Sequence, residues 1–402
     1  MNQLKRRLAI VCRDLITVNC LNNHIGDILL MKEKDNLKSG PPDFRISDKL
    51  SNFINAQSFS FGVILIPVIA VFILILLIFI FSEKPFETLY YFFIGPFRNI
   101  YSFGNMLNAS VPLVLGALGV VIAMKAGSLN LGGEGQVYLG AFITTAVALQ
   151  AADLPFMRQF GITGAAIAVI AGAFCSGLTA AFSGFCKSRW NTTELITTFL
   201  VSCAVIHVVN YLVIGPFLDP ETSLISTKKI ADNMRLTLIL KPSGLSAGVF
   251  IALIFVLITH IFLTRTKLGY EFRMTGSNEI FARYGGINIK LNNVLALFFS
   301  GCLYGLAGSI AILGTHHAVI KDFSAGLGWN GLAVALIARF YSPAVIPAAL
   351  FFAWLNSGAR IAMQNTGLTL EVASIAQAVI LFLSTSLAFL NICVKGRDLK
   401  SG

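Results

Sequence analysis

The chain has 402 residues, of which 56% are apolar and only 12% are charged, and its mean hydropathy is +0.77. A soluble domain carries roughly 25% charged residues, so this composition excludes a soluble enzyme, a nucleic-acid-binding domain and a disordered chain. The net charge of +11 fits the accumulation of lysine and arginine in the cytoplasmic loops of membrane proteins. The composition therefore predicts an all-α membrane protein with roughly ten transmembrane helices.

The first 60 residues form a polar leader with a turn-forming Ser-Gly-Pro-Pro cluster at 39–42. We expect residues 1–60 to be a cytoplasmic leader, residues 61–394 a transmembrane domain and residues 395–402 a short cytoplasmic tail. Two interpretations of the leader stay open. It is either a genuine cytoplasmic segment, or residues 1–30 precede a true start at Met31; mass spectrometry of N-terminal peptides distinguishes the two.

Ten predominantly apolar stretches follow along the chain, and we expect each to cross the membrane. They cover residues 61–81, 109–126, 136–152, 161–186, 193–214, 246–264, 292–313, 326–340, 343–362 and 371–393. An internal N-terminus leaves more lysine and arginine on the inner side than on the outer side, as the positive-inside rule requires. We therefore expect both termini to be cytoplasmic.

The segment between the second and third stretches, residues 125–136, places a carboxylate among glycines. Gly132, Gly133 and Gly135 disfavour a long regular helix, and a broken helix at membrane depth needs protein or water to satisfy its backbone. Glu134 is then a candidate functional carboxylate. The alternative is an interfacial turn in which Glu134 caps the third helix, and the residues by themselves leave both interpretations open.

A second motif, Asn191-Thr192-Thr193-Glu194, opens the fifth stretch. It is typical of a helix start, with Asn191 or Thr192 as the cap and Glu194 in the first turn. The alternative is a role for Glu194 at the inner mouth of a pathway.

The longest internal loop after the leader, residues 264–288, is both aromatic and charged. The apolar residues that could form one face of a short helix are Leu268, Phe272, Ile280, Phe281 and Tyr284. Arg273 and Arg283 add fixed positive charge. Such a helix suits docking into a groove of a soluble partner, although a plain interfacial amphipathic helix has the same pattern.

The eighth stretch is short and contains a glycine-rich motif at residues 326–339. Small residues allow helices to approach closely. The eighth stretch follows the seventh crossing just as the Glu134 segment follows the second crossing. The second and seventh crossings are predicted to run through the membrane in opposite directions. Crossings 2–5 and 7–10 are therefore predicted to form an inverted repeat with one glycine-interrupted segment in each half. In transporters such a pair points to the translocation site.

The sequence contains no motif for catalysis or metal binding. Neither a Gly-x-x-x-x-Gly-Lys-Ser/Thr loop nor a His-Glu-x-x-His motif occurs. The His316-His317 pair lies in a predicted external loop, where solvated histidines are expected. We therefore predict no catalytic residue, no metal site and no cofactor, and we expect the protein to move a solute rather than convert it.

Three of these segments together resemble the permease subunit of a bacterial ABC importer, in the nucleoside and simple-sugar branch of the ribose and branched-chain amino acid permeases. Residues 130–136 resemble the Asn-Ile-Gly-x-Glu-Gly-Gln signature of that branch, residues 269–287 its Gly-Tyr-Glu-x-Arg loop, and residues 326–337 its glycine-rich stretch. Leu131 and Leu332 stand in place of isoleucines in these motifs, and two mild departures are Lys125, where arginine is common, and Ala338, where glycine is usual. The leader has no counterpart in the family.

The motifs and the resemblance together imply roles for individual residues. The substrate pathway would include Asn130, Glu134, Gln136, Glu194, Trp329 and Asn330. The loop that couples to the ATPase would include Gly269, Tyr270, Glu271, Arg273, Gly276, Asn278, Ala282, Arg283, Tyr284, Gly285 and Ile287. The implied partners are a separate ABC ATPase subunit, a second permease of a different chain, and an extracytoplasmic substrate-binding lipoprotein, in the lipid bilayer of the bacterial inner membrane.

Nucleosides are the expected cargo, and ribose-like sugars are the alternative within the same class. A proton-coupled secondary transporter that uses Glu134 and Glu194 as its carboxylates is the alternative from a different class. That alternative would leave the loop at 269–287 without a role. A membrane enzyme is disfavoured because no catalytic constellation is visible, and no nucleic-acid partner is expected.

Overall fold

The computed structural model describes residues 71–80, 82–153 and 161–366, together with residues 375 and 378. The chain divides into two units, Met1–Gly62 and Val63–Gly402, and every described residue belongs to the second. The predicted leader, the predicted tail, the first part of the first crossing and nearly all of the tenth crossing lie outside the described residues.

The described structure is almost entirely helical. Its helices are α1 (Val71–Ile80), α2 (Pro85–Phe93), α3 (Ile100–Lys125), α4 (Gly133–Asp153), α5 (Gly161–Trp190), α6 (Glu194–Ile214), α7 (Gly248–Arg265), α8 (Lys267–Ser277), α9 (Glu279–Tyr284), α10 (Ile289–Ala311), α11 (Leu327–Ile337) and α12 (Val345–Thr366). A short antiparallel hairpin, β1 (Leu238–Leu240) and β2 (Leu245–Ser246), lies between α6 and α7. A π-turn, Ile312–His316, extends α10. This architecture confirms the predicted all-α membrane protein.

Within the described residues, six helices are long and apolar enough to cross a membrane. They are Ile100–Lys125, Gly161–Trp190, Glu194–Ile214, Gly248–Arg265, Ile289–His316 and Ser342–Thr366. These six correspond to the second, fourth, fifth, sixth, seventh and ninth predicted crossings. Helix α4 has the length of a crossing, with 21 residues, but its first turn is polar, while α1 and α11 are apolar and shorter. The total of ten crossings stays a prediction.

Helix α3 begins at Ile100, whereas the apolar pattern placed the start of this crossing at residue 109. Asn99 caps the helix with its side chain. The apolar pattern broke at Asn105 and Asn108, because isolated amides are costly in a membrane helix. In the fold the side-chain oxygens of both amides accept hydrogen bonds from the backbone of the β1–β2 hairpin, and the Asn108 Nδ2 donates to Thr315, so the helix continues through them.

The bundle has two chemically different ends. The end where α3 and α5 finish and α6 and α10 begin, here named the basic end, is held by contacts of Ser128 with Asn293 and Lys187, both at 3.4 Å. The cations near this end are Lys125, Lys187, Arg189, Arg265, Lys267, Arg273, Arg283, Lys290 and Arg339. Only Glu194, Glu271 and Glu279 oppose them among the described residues there. The opposite end, named the hairpin end because it carries β1 and β2, has a nearly even balance of acidic and basic residues.

Helices α4, α5 and α10 form a close-packed core through small residues. Gly305 of α10 lies against Ser176 of α5 on one side and against Gly140 of α4 on the other. The hydroxyls of Thr144 and Ser309 are 2.7 Å apart across the same interface. Small side chains let the backbones approach closely and give a dense contact. This core fixes the start of α4, where the candidate site lies.

Candidate functional site

The chain is not helical from residue 126 to residue 132, and this unwound segment turns from the basic end back into the bundle. Ser128 still lies beside Lys187 at the basic end, whereas Gly133 packs against the ring of Tyr304, well inside α10. A Cβ atom at Gly133 would overlap that ring, so only glycine fits. The glycines of this motif therefore mark a broken helix, as the sequence predicted.

A second unwound segment, residues 317–326, turns into the bundle from the hairpin end. Asp322, Ala325 and Gly326 adopt positive φ angles of 56°, 36° and 87°, which let the chain reverse direction within a few residues. Helix α11 then starts inside the bundle and has only 11 residues. Gly328 lies directly against the backbone of Gly133 and Glu134. The first turns of α4 and α11 thus meet inside the protein.

Glu134 joins the two segments through its carboxylate. The N–H of Gly326 donates to Oε1 at 2.7 Å, and the N–H of Gly328 donates to Oε2 at 2.9 Å. Helix N-termini present unpaired N–H groups and a partial positive charge, which a carboxylate satisfies. The capping interpretation of Glu134 is therefore right in its chemistry but wrong about the helix, because Glu134 caps α11 and not α4.

Asn130 and Gln136 form a closed pair of side-chain amides. The Asn130 Nδ2 donates to Gln136 Oε1 at 2.8 Å, and the Gln136 Nε2 donates to Asn130 Oδ1 at 3.1 Å. Asn130 also donates to Ser300 on α10 and accepts from the N–H of Gly132. Both side chains are buried. These two predicted pathway residues hold the unwound segment in place by contacts with protein.

Helix α6 supplies the remaining partners of the unwound segment. The hydroxyl of Thr198 accepts the N–H of Leu131 at 3.2 Å, and the hydroxyl of Ser202 accepts the N–H of Gly135 at 2.8 Å. Buried unwound backbone inside a membrane protein requires such partners. Neither residue was predicted from the sequence. Glu194, Thr198 and Ser202 are each four positions apart within an apolar stretch, so they lie on one face of a helix. This spacing was the sequence signal by which both residues could have been predicted.

Glu194 lies at the basic end, away from Glu134. Its carboxylate pairs with Lys187 Nζ at 2.9 Å, with both side chains mostly buried. The predicted cap at Asn191 or Thr192 is wrong, because the N-cap is Thr193 and makes no side-chain hydrogen bond. Asn191 instead has a left-handed φ of 54° at the end of α5. Glu194 is about 12 Å along α6 from Ser202, so the structure does not bring the two predicted glutamates together.

Trp329 and Asn330 lie in the first turn of α11, next to the Glu134 carboxylate. Trp329 is 39% exposed, and its ring packs at 6.4 Å against Phe199 of α6, which is 42% exposed. Asn330 is half-buried. The structure therefore unites three predicted pathway residues from distant segments, namely Glu134, Trp329 and Asn330, beside an accessible aromatic surface.

A further polar group, which no sequence motif indicated, lies one turn of α4 beyond Glu134. Tyr138 Oη and Asn210 Oδ1 are 2.7 Å apart, Asn210 Nδ2 donates to Asp322 Oδ1 at 2.8 Å, and the N–H of Asp322 donates to Tyr138 Oη at 3.2 Å. The three residues come from α4, α6 and the second unwound segment. We name this group the tyrosine ring.

The predicted coupling loop folds into two helices, α8 and α9. Thr266, Asn278 and Asn288 each accept a backbone N–H at the start of a helix, α8, α9 and α10 respectively. Gly269 packs against the backbone of α7, and Gly276 packs against the end of α3. Tight contacts at these two glycines fix the helix pair to the basic end.

The coupling helices expose aromatic and charged side chains. Of the predicted coupling residues, Gly269 and Ala282 are buried, Glu271 and Ile287 are half-buried, and the others are exposed. Tyr284 is 89% exposed, while Phe272 is buried and belongs to the core. The exposed group that we name the coupling patch consists of Tyr270, Ile280, Phe281, Arg283 and Tyr284. Aromatic residues and arginine at a surface are typical of a protein interface.

A groove of about 770 Å³ lies on another face, between α5, α7 and α10. Its lining is almost wholly apolar, with Phe174, Phe255 and Phe298 among the residues. Such a lining suits hydrocarbon and offers few partners for a polar solute. The groove is therefore separate from the polar site around Glu134.

Comparisons with known proteins show to which family the chain belongs. Residues 102–385 match the family model described as branched-chain amino acid transport system / permease component. A probable riboflavin import permease protein of Treponema pallidum is 31% identical over 75% of this chain and 79% of its own length. A glucose ABC transporter permease protein of Haloferax volcanii is 30% identical over 73% and 79%, and a guanosine ABC transporter permease protein of Bacillus subtilis is 30% identical over 73% and 84%.

No solved structure matches the chain significantly. The family model covers well over half of the sequence, including both unwound segments and the coupling helices. The chain therefore belongs to the permease family of the branched-chain amino acid transport system, and two of the relatives above are named ABC transporter permease proteins.

Proposed function

We propose that this chain is the membrane-spanning permease subunit of an ATP-driven ABC importer. It forms one side of the path for a small polar solute, and the solute that we propose is a nucleoside. The names of the relatives support this substrate class, since one is a guanosine permease. ATP hydrolysis belongs to a separate subunit, because this chain contains no phosphate-binding loop.

The observation that carries the proposal is the meeting of two unwound segments at Glu134. Each segment enters the bundle from a different end, and the two helix starts contact each other there. Broken helices that meet inside a bundle are the usual framework of a transport site. The accessible rings of Trp329 and Phe199 next to this junction offer a surface on which a nucleobase can stack.

The charge distribution supports a cytoplasmic basic end. Lysine and arginine greatly outnumber carboxylates there, whereas the hairpin end is nearly balanced. Positive residues are retained on the inner side during membrane insertion. In the proposed orientation both termini would lie in the cytoplasm of a bacterial cell, with residues 1–60 as a leader, residues 61–394 as the permease domain and residues 395–402 as a tail.

The coupling patch is the proposed docking site for the ATPase subunit. It lies at the basic end, where a cytoplasmic ATPase would bind, and its aromatic side chains lack partners in the described part of the chain. A second permease of a different chain would complete the path, and a substrate-binding lipoprotein would deliver the solute at the hairpin end.

The first test is uptake of labelled guanosine and labelled ribose by cells that express the whole transporter, under ATP depletion or with a protonophore. Guanosine uptake that is lost on ATP depletion but persists with the protonophore is the expected result. Ribose uptake with the same energy dependence would keep the mechanism and change the substrate. Uptake that follows the proton gradient would contradict an ABC importer. The donors already bonded to Glu134 and Glu194 give that outcome little structural support.

The second test reverses one charge in the coupling patch. Arg283→Glu is expected to abolish co-purification of the ATPase and uptake, while the permease stays folded, because Arg283 makes only an exposed pair with Glu279 at 3.7 Å. Lys84→Glu is the matched control, since Lys84 makes a similar exposed pair with Glu87 at 3.6 Å at the hairpin end. Unchanged uptake in Arg283→Glu would show that the coupling role is wrong.

A further inference from the structure

The tyrosine ring has a geometry that its own hydrogen bonds fix. Tyr138 is fully buried and packs against Phe323 at 5.9 Å, and each of the three residues bonds to the other two. Asp322 is held at a φ of 56°, a conformation that aspartate adopts more readily than most residues. The carboxylate therefore stands in one defined position at the hairpin end of the path.

This network leaves hydrogen-bonding capacity unused. Asp322 accepts from Asn210 through Oδ1 only, and Oδ2 has no hydrogen bond among the described residues. No lysine or arginine nitrogen of the described part lies within 4.0 Å of the carboxylate. Asn210 donates through Nδ2, whose second hydrogen is also free of any described partner. Because Asp322 is exposed, these groups are accessible to a solute.

A fixed carboxylate oxygen beside an amide N–H complements two neighbouring hydroxyl groups. One hydroxyl donates to the carboxylate in a charge-assisted hydrogen bond, and the next accepts from the amide. Riboflavin, guanosine and glucose, the solutes named for three relatives, differ in their rings but all carry adjacent hydroxyls. A polyol is thus the chemistry that this group recognises.

We infer that Tyr138, Asn210 and Asp322 form a recognition site for adjacent hydroxyl groups of the transported solute, such as those of a ribose. Asp322 and Asn210 contact the hydroxyls, and Tyr138 is the positioning residue that orients both. This inference rests on the proposed function and specifies which part of the substrate the permease would recognise. Tyr138 follows Glu134 by one turn of α4, about 6 Å, so the hydroxyls bind next to the junction where Trp329 and Phe199 lie.

The test compares guanosine with 2′,3′-dideoxyguanosine, which lacks both ribose hydroxyls. Uptake of each labelled compound is measured with the whole transporter carrying wild-type permease, Asp322→Asn or Tyr138→Phe. The binding lipoprotein is the same throughout, so any change in the ratio of the two uptakes arises in the permease. Asp322→Asn is nearly isosteric, which keeps the fold, and membrane levels of each variant are measured by immunoblot.

The expected result is a selective loss. Asp322→Asn lowers guanosine uptake by about tenfold or more, because a charged hydrogen bond is lost, and leaves dideoxyguanosine uptake nearly unchanged. Tyr138→Phe lowers the ratio of guanosine uptake to dideoxyguanosine uptake by a smaller factor than Asp322→Asn does. Asp219→Asn is the matched control, since Asp219 is half-buried at the hairpin end and its carboxylate accepts, among the described residues, only the nearby N–H of Glu221; the ratio of guanosine to dideoxyguanosine uptake stays at the wild-type value in this variant.

Two outcomes would overturn the inference. The first is a wild-type ratio in Asp322→Asn, and the second is an equal loss of both nucleosides, which would show that Asp322 only holds the loop. Equilibrium binding of the same nucleosides to the purified transporter without ATP separates this inference from the proposed function. If binding depends on the hydroxyls but uptake follows the proton gradient, the recognition site is supported and the ABC importer is contradicted. If uptake is driven by ATP but does not depend on the hydroxyls, the importer is supported and the recognition site is contradicted.

Discussion

The junction around Glu134 and the coupling helices α8 and α9 are both polar interruptions of an apolar chain, but their surroundings differ completely. At the junction, the Glu134 carboxylate and the amides of Asn130 and Gln136 are bonded within the protein. On the coupling helices, Tyr284 and Ile280 are 89% and 70% exposed. The junction is complete in the isolated chain, whereas the coupling patch presents a surface that another protein would cover.

We expect this difference to separate residues that hold the fold from residues of the proposed docking site. A side chain at the junction contributes to stability first, and any effect on transport follows from it. A side chain in the coupling patch contributes almost nothing to stability, so a loss of uptake there reports on docking. Substitutions in the two regions should therefore divide cleanly between unfolding and uncoupling.

The largest effect is expected from Gly328→Ala at the junction. The added Cβ would overlap the backbone nitrogen of Glu134, and backbone cannot move aside as a flexible side chain can. We expect a loss of about 3 kcal/mol or more in stability, measured as the midpoint of thermal unfolding in detergent.

Gly285→Ala in the coupling helices is the matched control for that substitution. Its added Cβ would meet the nearest atom, the carbonyl oxygen of Ala282, at 3.4 Å, an ordinary contact. Its unfolding midpoint should equal that of the wild type. A Gly328→Ala protein with wild-type stability would contradict the close contact between α4 and α11.

A smaller effect is expected from removal of the Glu134 carboxylate. Glu134→Ala leaves the N–H groups of Gly326 and Gly328 without their acceptor, at a cost of about 2 kcal/mol in unfolding free energy. Glu134→Gln keeps one acceptor oxygen, so we expect about half that cost and partial uptake. If Glu134→Gln and Glu134→Ala both had the uptake and the stability of the wild type, the hydrogen bonds from Gly326 and Gly328 to Glu134 would not be what joins α4 to α11.

The smallest effect on stability is expected in the coupling patch, from Tyr284→Ala. The exposed ring contributes little to the fold, so unfolding should shift by no more than about 0.5 kcal/mol, while aromatic anchors at interfaces often contribute about 2 kcal/mol to binding. We expect a clear loss of ATPase co-purification and uptake. Tyr211→Ala is the control, because Tyr211 is also exposed, at 71%, but lies on α6 outside the patch; loss of ATPase in both variants would argue against a specific docking site.

Sequence reasoning predicted the helices well, since each described crossing coincides with an apolar stretch. It failed at the start of α3, where Asn105 and Asn108 interrupt the apolar pattern and find their partners far away in the chain, both in the hairpin and Asn108 also at Thr315. It also left Glu134 between two roles. The donors to its carboxylate, Gly326 and Gly328, lie 192 and 194 positions away, beyond the reach of any local pattern.

The tyrosine ring shows the same limit for the candidate site. Asn210 and Asp322 are 112 positions apart, and neither belongs to a recognisable motif. Thr198 and Ser202 were within reach, because their helical spacing marks one polar stripe on α6, but the identity of their partners was not.

Hydrophobicity and glycine content act over a few neighbouring residues, so the amino-acid sequence was enough to predict a helical membrane protein, the approximate positions of its crossings and the two glycine-interrupted segments. The sequence also carried the family resemblance, which the comparisons confirmed. Which polar groups meet depends instead on the packing of helices that are distant in the chain. Buried hydrogen bonds are satisfied wherever the packing of helices brings donor and acceptor together, and in this protein that packing joins the first turn of α4 to the first turn of α11.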